Sequence, residues 1–375
     1  MPINPLEFFE ILQKNDINFF TGIPDSLLKE LNNVILKNTN ENNHVITSNE
    51  GSSIALATGY HLSTNKIPLV YLQNSGFGNT INPILSLASD DVYSIPMILL
   101  IGWRGEPGVK DEPQHSSQGK YMEKMLESIN LPYKILPDNL EDVKSMLDDI
   151  LENLKETKKP HVILVKKNSF SKYNEKIEIV NNYEIFRKDI LEKIMDIFND
   201  DIILSTTGTS SRELLQIYEK KNKELNNIFL NVGAMGHVSM ISQGVAMNTT
   251  KKVVCIDGDG SSIMHMGNLT SIGTSNLENM IHIVINNSMH QSVGIQPTVG
   301  FQIEFCKIAE ACGYKKTFLI TSNQEFENSI NDIKNIIGPV FIEIRVTNKN
   351  NYSEDLPRPK DKPTVSKEKF MKSIK

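Results

Sequence analysis

KKVVCIDGDGSS at residues 251–262 and ENMIHIVINNS at residues 278–288 are two apolar segments that each end in polar residues. Continuous apolar runs of this length are typical of buried parallel strands. The interval between them leaves room for one crossover helix, so the pair predicts a βαβ unit. Asp259 and the pair Asn286-Asn287 would then lie at the carboxyl ends of two strands of one sheet, the edge at which open α/β sheets bind ligands.

The spacing of these polar residues also predicts a metal site. Between Gly260 and Asn286 lie 25 residues, 261 to 285, and the edge would present a carboxylate, an amide oxygen and a nearby backbone carbonyl. Hard oxygen donors of this kind suit a Mg²⁺ ion that completes its octahedron with diphosphate oxygens and water. The glycines would let the backbone approach that diphosphate. An ordinary strand-end turn with an Asx cap is the alternative, and the Asn pair together with both strands disfavours it.

The composition is that of an ordinary globular protein. Its 39% apolar and 22% charged residues are ordinary proportions, and its length of 375 residues predicts two domains. The net charge of −6, without a long basic run before the C-terminal region, disfavours nucleic acid as a partner. Cys255, Cys306 and Cys312 show no metal or redox spacing, which fits a reducing cytoplasm. We expect no signal peptide, because the N-terminal residues lack a basic start and an apolar core, and no membrane span, because no apolar run reaches about 18 residues.

Strands and helices are predicted to alternate in both halves of the chain. The predicted strands are Ile17–Thr21, His44–Ile46, Pro68–Gln73, Met97–Ile101, Tyr133–Leu136, Val162–Lys166, Ile202–Ser205, Ile228–Leu230, Val253–Ile256, Ile281–Ile285, Thr317–Ile320 and Val340–Val346. The predicted helices include Leu27–Leu36, Gly51–Leu62, Leu140–Asn153, Ile185–Phe198, Arg212–Tyr218 and Phe305–Cys312. This alternation predicts an α/β protein with two doubly wound parallel-sheet domains. We place them at residues 1–168 and 183–350, with a linker at 169–182 and an extended, partly mobile tail at 351–375.

A Rossmann dehydrogenase is the generic rival for this pattern. The closest string to the dinucleotide-binding motif is NSGFGN at residues 74–79, and it lacks the third glycine. The dehydrogenase interpretation is therefore disfavoured.

The first half has charged and titratable residues near predicted strand ends that are candidates for catalysis or substrate binding. Glu50 opens a helix that is rich in small residues, and its simplest role is to complement the helix N-terminus, worth roughly 0.3–1 kcal/mol. Arg104 and His115 lie in a predicted loop, residues 102–115, after a strand. His115 could transfer protons near neutral pH, and the planar Arg104 fork could bind a substrate anion. A solvated charged loop is the alternative.

The second half offers a predicted phosphate cradle. STTGTSS at residues 205–211 lies between a strand and a helix, where backbone N–H groups and hydroxyls could bind a diphosphate, or the hydroxyls could simply cap the helix. GAMGH at residues 233–237 precedes another helix with small residues. There Met235 could be core filler or a bulky apolar support for a ligand, flanked by glycines that let the backbone come close.

Several strings resemble the thiamine diphosphate (ThDP)-dependent 2-oxo acid decarboxylases, and within them the phosphonopyruvate decarboxylases. The similarity runs from about residue 5 to about residue 350. Its strings are FTGIPDSLL at 20–28, QNSGFGN at 73–79, IGWRGEPG at 101–108, DEPQH at 111–115, MHMG at 264–267 and QSVGIQPT at 291–298, beside the metal-site spacing itself. The resemblance implies a pyrimidine-binding first domain and a diphosphate-binding second domain, with no middle domain.

The resemblance also implies roles for single residues. Asp259, Asn287 and the carbonyl of Met289 would hold Mg²⁺, and Glu50 would share a proton with the aminopyrimidine of the cofactor. Met235 would support the folded shape of ThDP. Further cofactor contacts would be Gly208, Thr209, Gly233, Gly236, His237, Gly260 and Ser261. Candidates for acid–base catalysis or substrate binding are Asp25, His115, His290 and Arg104. Asp25 could instead cap the helix that follows it.

The activity implied by the resemblance is decarboxylation of 3-phosphonopyruvate to phosphonoacetaldehyde and CO₂, a step of phosphonate biosynthesis for which we expect 2-aminoethylphosphonate as the product. Sulfopyruvate decarboxylation is the near alternative, because only the terminal anion differs. Acetolactate-type carboligation and a catalytically silent partner or regulatory subunit are further alternatives. We expect a cytoplasmic homo-oligomer, at least a dimer, whose active site is shared between chains.

Overall fold

A computed structural model of the chain describes residues 1–175, 179–221, 225–349 and 356–374. The chain divides into two compact units. The first comprises Met1–Ile177 and His290–Gln296, and the second comprises Glu178–Met289 and Pro297–Lys375. Within the described residues each unit is built on one parallel sheet of six strands. The predicted fold class, two parallel-sheet α/β domains, is therefore confirmed, whereas the predicted domain limits stay a prediction.

Strands and helices alternate along the first unit. Its strands are β1 (Phe20–Gly22), β2 (His44–Ile46), β3 (Leu69–Gln73), β4 (Ile98–Gly102), β5 (Tyr133–Ile135) and β6 (His161–Val165). Its helices are α1 (Pro5–Lys14), α2 (Lys29–Asn38), α3 (Glu50–Thr64), α4 (Phe77–Pro83), α5 (Pro113–Ser128) and α6 (Leu140–Thr157). Asn49 caps α3 by accepting a hydrogen bond from the Ser52 amide, and Asn139 caps α6 in the same way.

The second half of the chain repeats the alternation. Its strands are β7 (Ile202–Ser205), β8 (Ile228–Leu230), β9 (Val253–Gly258), β10 (Met280–Asn286), β11 (Met289–His290), β12 (Gln296–Pro297), β13 (Lys316–Ile320) and β14 (Val340–Arg345). Its helices are α7 (Arg187–Ile197), α8 (Thr209–Lys220), α9 (Val238–Ala246), α10 (Asp259–Met264), α11 (Asn268–Gly273), α12 (Phe305–Ala311), α13 (Asn323–Asn335) and α14 (Pro363–Ser373). The short strands β11 and β12 pair with each other outside the main sheet.

The strand order is the same in both sheets. It runs β2-β1-β3-β4-β6-β5 in the first and β8-β7-β9-β10-β14-β13 in the second. The chain reverses its direction of travel across the sheet between β1 and β3, and again between β7 and β9. Such switch points are where doubly wound folds bind ligands, at the carboxyl ends of the strands. The topology therefore predicts one binding edge in each unit.

Alternate residues of the central strands face two separate apolar clusters. On β3, Leu69 and Tyr71 belong to the cluster on one face of the sheet, whereas Val70 and Leu72 belong to the cluster on the other. The residues of β9 alternate in the same way. Both faces of each sheet are covered, which explains why these strands are continuous apolar runs in the sequence.

The prediction of an extended tail is wrong at residues 363–373, which form helix α14. Pro363 lies in the first turn of this helix, where a missing N–H is tolerated. Phe370 is 5% exposed and its ring centroid lies 5.4 Å from that of Phe229, so burial of an aromatic ring holds the helix against the second unit. Residues 351–355 of the predicted tail and 176–178 of the predicted linker lie outside the described residues.

Two further predictions of local structure are wrong. The single crossover helix between β9 and β10 is divided into α10 and α11, because His265 leaves the helical region with φ −131° and ψ 50°. The predicted loop at residues 102–115 ends in α5, which begins at Pro113. His115 therefore lies in the first turn of a helix.

Candidate active site

Candidate residues of the first unit, and Asn79 beside them, follow the strands around its switch point. Asp25 follows β1, Asn79 follows β3 and Arg104 follows β4, while Glu50 begins α3 after β2. Because β2, β1, β3 and β4 are neighbours in the sheet, their carboxyl ends collect these side chains at one edge.

Asp25 is a buried carboxyl whose two oxygens differ. Oδ2 accepts a 3.0 Å hydrogen bond from the Leu27 amide, whereas Oδ1 is buried without a hydrogen-bond partner in the described chain. The capping alternative is not supported, because α2 begins only at Lys29. Burial raises the pKa of Asp25 to about 6, against the opposing effect of the Arg104 charge. A Cβ atom at Gly102 would lie 1.9 Å from Oδ2, so this glycine makes room for the carboxyl.

Asp25→Asn is expected to raise the free energy of unfolding more at high than at low pH. The pKa of Asp25 is about 6 when folded, above its ordinary value of 3.8, so the folded state binds more protons in this window and loses stability as the pH rises through it. An amide does not ionise, and its advantage at about pH 8 should be of the order of 2–3 kcal/mol. Urea unfolding at high and low pH measures this gain, and an equal gain at both would contradict an ionised, buried Asp25.

Glu50 is the first residue of α3. Its side chain is 5% exposed, and Oε2 accepts a 2.7 Å hydrogen bond from Asn79 Nδ2. Burial raises the pKa of this carboxyl, and the hydrogen bond from Asn79 opposes the rise only in part. A carboxyl that takes up a proton more readily than usual can share it with a ring nitrogen, as the predicted role requires.

Gly76→Ala is expected to lower turnover by about tenfold to 10²-fold, because small misplacements of reacting groups are costly. A Cβ atom at Gly76 would lie 2.0 Å from Oε1 of Glu50, so the new methyl group would displace that carboxyl. Gly78→Ala is the matched control, since nothing lies within 4 Å of a Cβ atom at Gly78. Steady-state rates and thermal unfolding of both variants test this, and equal rates would show that the position of Glu50 does not matter.

Arg104 and His115 are brought together by Asp111. Asp111 Oδ2 accepts a 2.8 Å hydrogen bond from Arg104 Nε, and Oδ1 lies 3.1 Å from His115 Nδ1. Arg104 Nη1 also donates to Ser26 Oγ at 2.7 Å. The guanidinium predicted to bind a substrate anion is thus already paired with a carboxylate, and its role towards substrate stays a prediction.

In the second unit, β9 and β10 place Asp259 beside Asn286-Asn287. Gly258 pairs in register with Ile285, so the residues that follow are neighbours at the sheet edge. Asp259 is 3% exposed, and the Asn287 amide is one of the groups that act on its carboxylate. Two of the three predicted metal ligands are therefore adjacent. Met289, the predicted carbonyl ligand, is buried nearby in the chain.

The donor set at this edge fits Mg²⁺. Burial raises the pKa of Asp259 to about 6, and the groups that hydrogen-bond its carboxylate are the Thr298 hydroxyl and backbone amides, which are neutral. A divalent cation would neutralise such a carboxylate. Among the described residues no group of three His, Cys, Asp or Glu side chains could hold a metal. The predicted metal site of one carboxylate, one amide and one carbonyl stays a prediction.

Two loops of the second unit meet the first turn of α10 at Ser261. Its hydroxyl accepts a 3.0 Å hydrogen bond from the Gly236 amide and lies 3.0 Å from Thr206 Oγ1. Gly236 and Gly208 have φ of 88° and 97°, values that favour glycine. The loops after β7 and β8 are thereby joined to the start of α10 at the switch point, as the predicted diphosphate cradle requires.

The remaining predicted cofactor contacts lie on these same loops. Gly208 immediately precedes Thr209, the first residue of α8, whose first-turn amides suit a phosphate. Met235 is half-buried, and the exposed His237 places its ring centroid 4.2 Å from that of His265. Gly233 belongs to the loop after β8, and Gly260 lies in the first turn of α10. Their individual roles stay predictions.

His290 lies on β11, directly after Met289. Burial lowers its pKa to about 4, so its imidazole is neutral near pH 7 and can accept a proton. Its predicted part in substrate binding or proton transfer stays a prediction.

Sequence reasoning missed four residues that organise the site. Asn79 holds Glu50, Asp111 holds Arg104, and the Thr298 hydroxyl donates to Asp259. Asn74 joins the loops after β3 and β4, because its side chain donates to the Arg104 carbonyl at 2.8 Å and accepts from the Arg104 amide at 3.1 Å. All four lie within the strings that carry the family resemblance, which was the available signal.

Two family models and several curated relatives match the chain. The N-terminal TPP binding domain of the thiamine pyrophosphate enzymes matches residues 7–126, and the C-terminal TPP binding domain matches residues 206–344. Sulfopyruvate decarboxylase subunit beta of Methanocaldococcus jannaschii is 36% identical over 191 residues, which cover 97% of that subunit and 50% of this chain. The chain belongs to the thiamine pyrophosphate enzymes. This confirms the predicted ThDP cofactor.

Two longer relatives extend the similarity of this thiamine pyrophosphate enzyme over most of its length. Phosphonopyruvate decarboxylase of Streptomyces viridochromogenes is 28% identical over 365 residues, covering 93% of this chain and 89% of the relative. Sulfopyruvate decarboxylase of Methanosarcina acetivorans is 25% identical over 381 residues, covering 95% and 94%. The predicted enzyme class, a ThDP-dependent decarboxylase, is confirmed. Each helix in the described part of the chain is too short or too polar to cross a membrane.

Proposed function

We propose that this enzyme uses ThDP and Mg²⁺ to decarboxylate 3-phosphonopyruvate to phosphonoacetaldehyde and CO₂, within phosphonate biosynthesis. The observation that carries the proposal is the buried Glu50 carboxyl, with its raised pKa, at the switch point of the first unit. Buried Asp259 beside Asn287 supports the same reaction from the second unit. Both features argue against a catalytically silent partner, which would have no need of them.

In this proposal the site residues bind the metal, the diphosphate and the pyrimidine ring. Asp259, Asn287 and the Met289 carbonyl would hold the metal, while the turn at Gly208 would face the diphosphate. Glu50 would share a proton with the pyrimidine ring. When bound, ThDP supplies an electron-accepting thiazolium ring for the electron pair that departing CO₂ leaves behind.

Proton transfer at the substrate would fall to the titratable groups of the first unit. Asp25 presents an unpartnered oxygen and a pKa of about 6, which places it near the pH at which acid–base catalysis is most effective. Burial also lowers the pKa of His115, so its imidazole is neutral near pH 7 and can receive a proton. His290 is the further candidate.

Assays of the purified protein with a panel of 2-oxo acids test the proposal. With ThDP and Mg²⁺ present, phosphonopyruvate should be turned over with release of CO₂ and aldehyde, and much faster than pyruvate. Sulfopyruvate is the second candidate substrate, favoured by the relatives that bear its name. Faster turnover of sulfopyruvate would replace the first proposal by the second. No turnover of any 2-oxo acid would overturn both.

Arg104→Ala is expected to raise KM for phosphonopyruvate by about 10–100-fold, because a charge-assisted hydrogen bond is worth about 1.5–3 kcal/mol. Pyruvate lacks the terminal anion and should be much less affected. Lys110→Ala is the control, since Lys110 is an exposed cation of the same loop. Equal losses with both substrates would make Arg104 a structural partner of Asp111 instead of an anion receptor.

A homo-oligomer with a shared active site, and a cytoplasmic location, remain part of the proposal. The residues assigned above to the pyrimidine lie in the first unit, and those assigned to the diphosphate lie in the second. Sedimentation velocity of the purified protein with and without ThDP tests the oligomer.

A further inference from the structure

Asp111 is a carboxylate of the first unit that accepts hydrogen bonds from two side chains and two backbone amides. Besides Arg104 and His115, it accepts 2.8 Å hydrogen bonds from the backbone amides of Gly105 and Glu112. Its side chain is 15% exposed. Arg104 approaches with both Nε and Nη2, the bidentate geometry that fixes a guanidinium in one orientation. The hydrogen bonds of Asp111 therefore link the beginning of the loop between β4 and α5 to its end.

The protonation of this cluster follows from its hydrogen bonds. Asp111 is partly buried, which by itself would raise its pKa, but the hydrogen bonds from Arg104 and His115 hold that pKa well below its usual range. Asp111 is thus ionised, and an ionised carboxylate can only accept hydrogen bonds. At 3.1 Å from Oδ1, Nδ1 of His115 must carry the proton. In the neutral ring the other nitrogen, Nε2, then has a lone pair.

The unprotonated Nε2 of His115 is an acceptor for the side-chain amide of Gln73. Nε2 lies 3.4 Å from the side-chain nitrogen of Gln73, the last residue of β3, and so sits at the switch point of the sheet. The charged groups that act on His115 are Asp111 and Arg104. Asp25 acts on Arg104 from the loop after β1. The neighbouring carboxylate Glu106 instead pairs with Lys166, at 2.8 Å.

We propose that Asp111 is a positioning residue, which fixes the Nδ1–H tautomer of His115 so that Nε2 is the proton acceptor and which orients Arg104 beside it. Only the use of Nε2 in catalysis rests on the proposed decarboxylase function. The tautomer and the orientation of Arg104 are properties of the first unit alone. In this proposal the Asp111 carboxylate acts through its hydrogen bonds with His115 and Arg104.

Histidine ¹⁵N NMR of the full-length protein tests the tautomer directly. His115→Gln identifies the His115 resonances by their loss. In the parent, Nδ1 should have the shift of a protonated nitrogen and Nε2 that of an unprotonated one. Asp111→Asn should shift the population towards Nε2–H or a mixture, because the acceptor carboxylate is gone. Asp111→Glu should restore the parental pattern at least in part, and Glu106→Gln should leave it unchanged.

The pH dependence of kcat is a second test, because a purely structural role of Asp111 would not change it. Asp111→Asn should lower kcat by about 10²-fold or more, as expected when an acid–base group is in the wrong state. Loss of the nearby anion should lower the pKa of His115 further, since Asp111 favours its charged form, and the acid limb of the rate profile should move to lower pH. Glu106→Gln should keep the parental profile.

The outcomes separate this inference from the proposed function. Unchanged His115 ¹⁵N shifts in Asp111→Asn would overturn the inference, whatever the enzyme turns over. Changed shifts with no decarboxylation by the parent would overturn the proposed function and leave the tautomer assignment standing. If Asp111→Asn does not fold, Asp111→Glu decides the question, because a carboxylate in a displaced position should give a partial tautomer shift and a partial loss of kcat.

Discussion

Glu50→Gln is expected to keep the fold and to bind ThDP, yet to lose about 10²–10⁴-fold in turnover, the usual contribution of one acid–base group. The amide has nearly the same shape, and it can still hydrogen-bond with Asn79, which holds Oε2 at 2.7 Å in the parent. It cannot share a proton with a pyrimidine nitrogen. Calorimetric titration with ThDP and Mg²⁺, beside steady-state rates, measures the two properties separately.

Glu106→Gln is the control for this substitution, because it removes a carboxylate that pairs with Lys166 in another part of the same unit. It should keep parental turnover. A Glu50→Gln variant with turnover close to the parent's would remove Glu50 from the mechanism. Loss of ThDP binding together with turnover would make Glu50 a binding residue instead of an activating one.

Asp259→Ala is expected to abolish Mg²⁺-dependent retention of ThDP. The substitution removes the anionic ligand from a site whose other predicted ligands are neutral oxygens. Thermal stability without cofactor should change little, since the lost hydrogen bond from Thr298 is offset by removal of a buried carboxylate whose pKa is raised to about 6. Gel filtration with and without Mg²⁺, followed by analysis of bound ThDP, measures retention.

Asp200→Ala is the matched control, an exposed carboxylate close to the start of β7. Its retention of ThDP should equal the parental value. Parental retention by Asp259→Ala would show that the metal is held elsewhere or is not needed. Direct Mn²⁺ binding by the Asp259→Ala variant would support the first of these explanations.

The sheets and their binding edges could be predicted because burial on both faces leaves a local signal. Strands such as β9 and β10 are short apolar runs that stop at polar residues, and their order along the chain places Asp259 beside Asn287 without knowledge of any loop. Helix starts were predicted less well, although Pro113 and Pro363 both mark first turns. The apolar face of α14 is small and leaves little periodicity, so its helix escaped prediction.

The partners of the site residues could not be predicted from the sequence. That Asp111 accepts from Arg104 depends on the path of a loop with two left-handed glycines, Gly105 and Gly108. Glu50 and Asn79 are far apart in sequence and meet only because β2 and β3 both flank β1. The charge and shape of its side chain suggested that Arg104 could bind an anion. Only the folded loop shows that the guanidinium of Arg104 is already paired with the carboxylate of Asp111.

The identical strand order of the two sheets has a consequence for how such a protein can be encoded. Every ladder of the two six-stranded sheets joins strands of the same unit, so a break in the polypeptide between β6 and β7 would leave both of these sheets whole. The Methanocaldococcus relative, a subunit matched over nearly all its length by half of this chain, has the size expected for one such piece. The same pair of sheets can therefore be encoded by one gene or by two. A single fused chain would yield the two halves in equal amounts without altering either core.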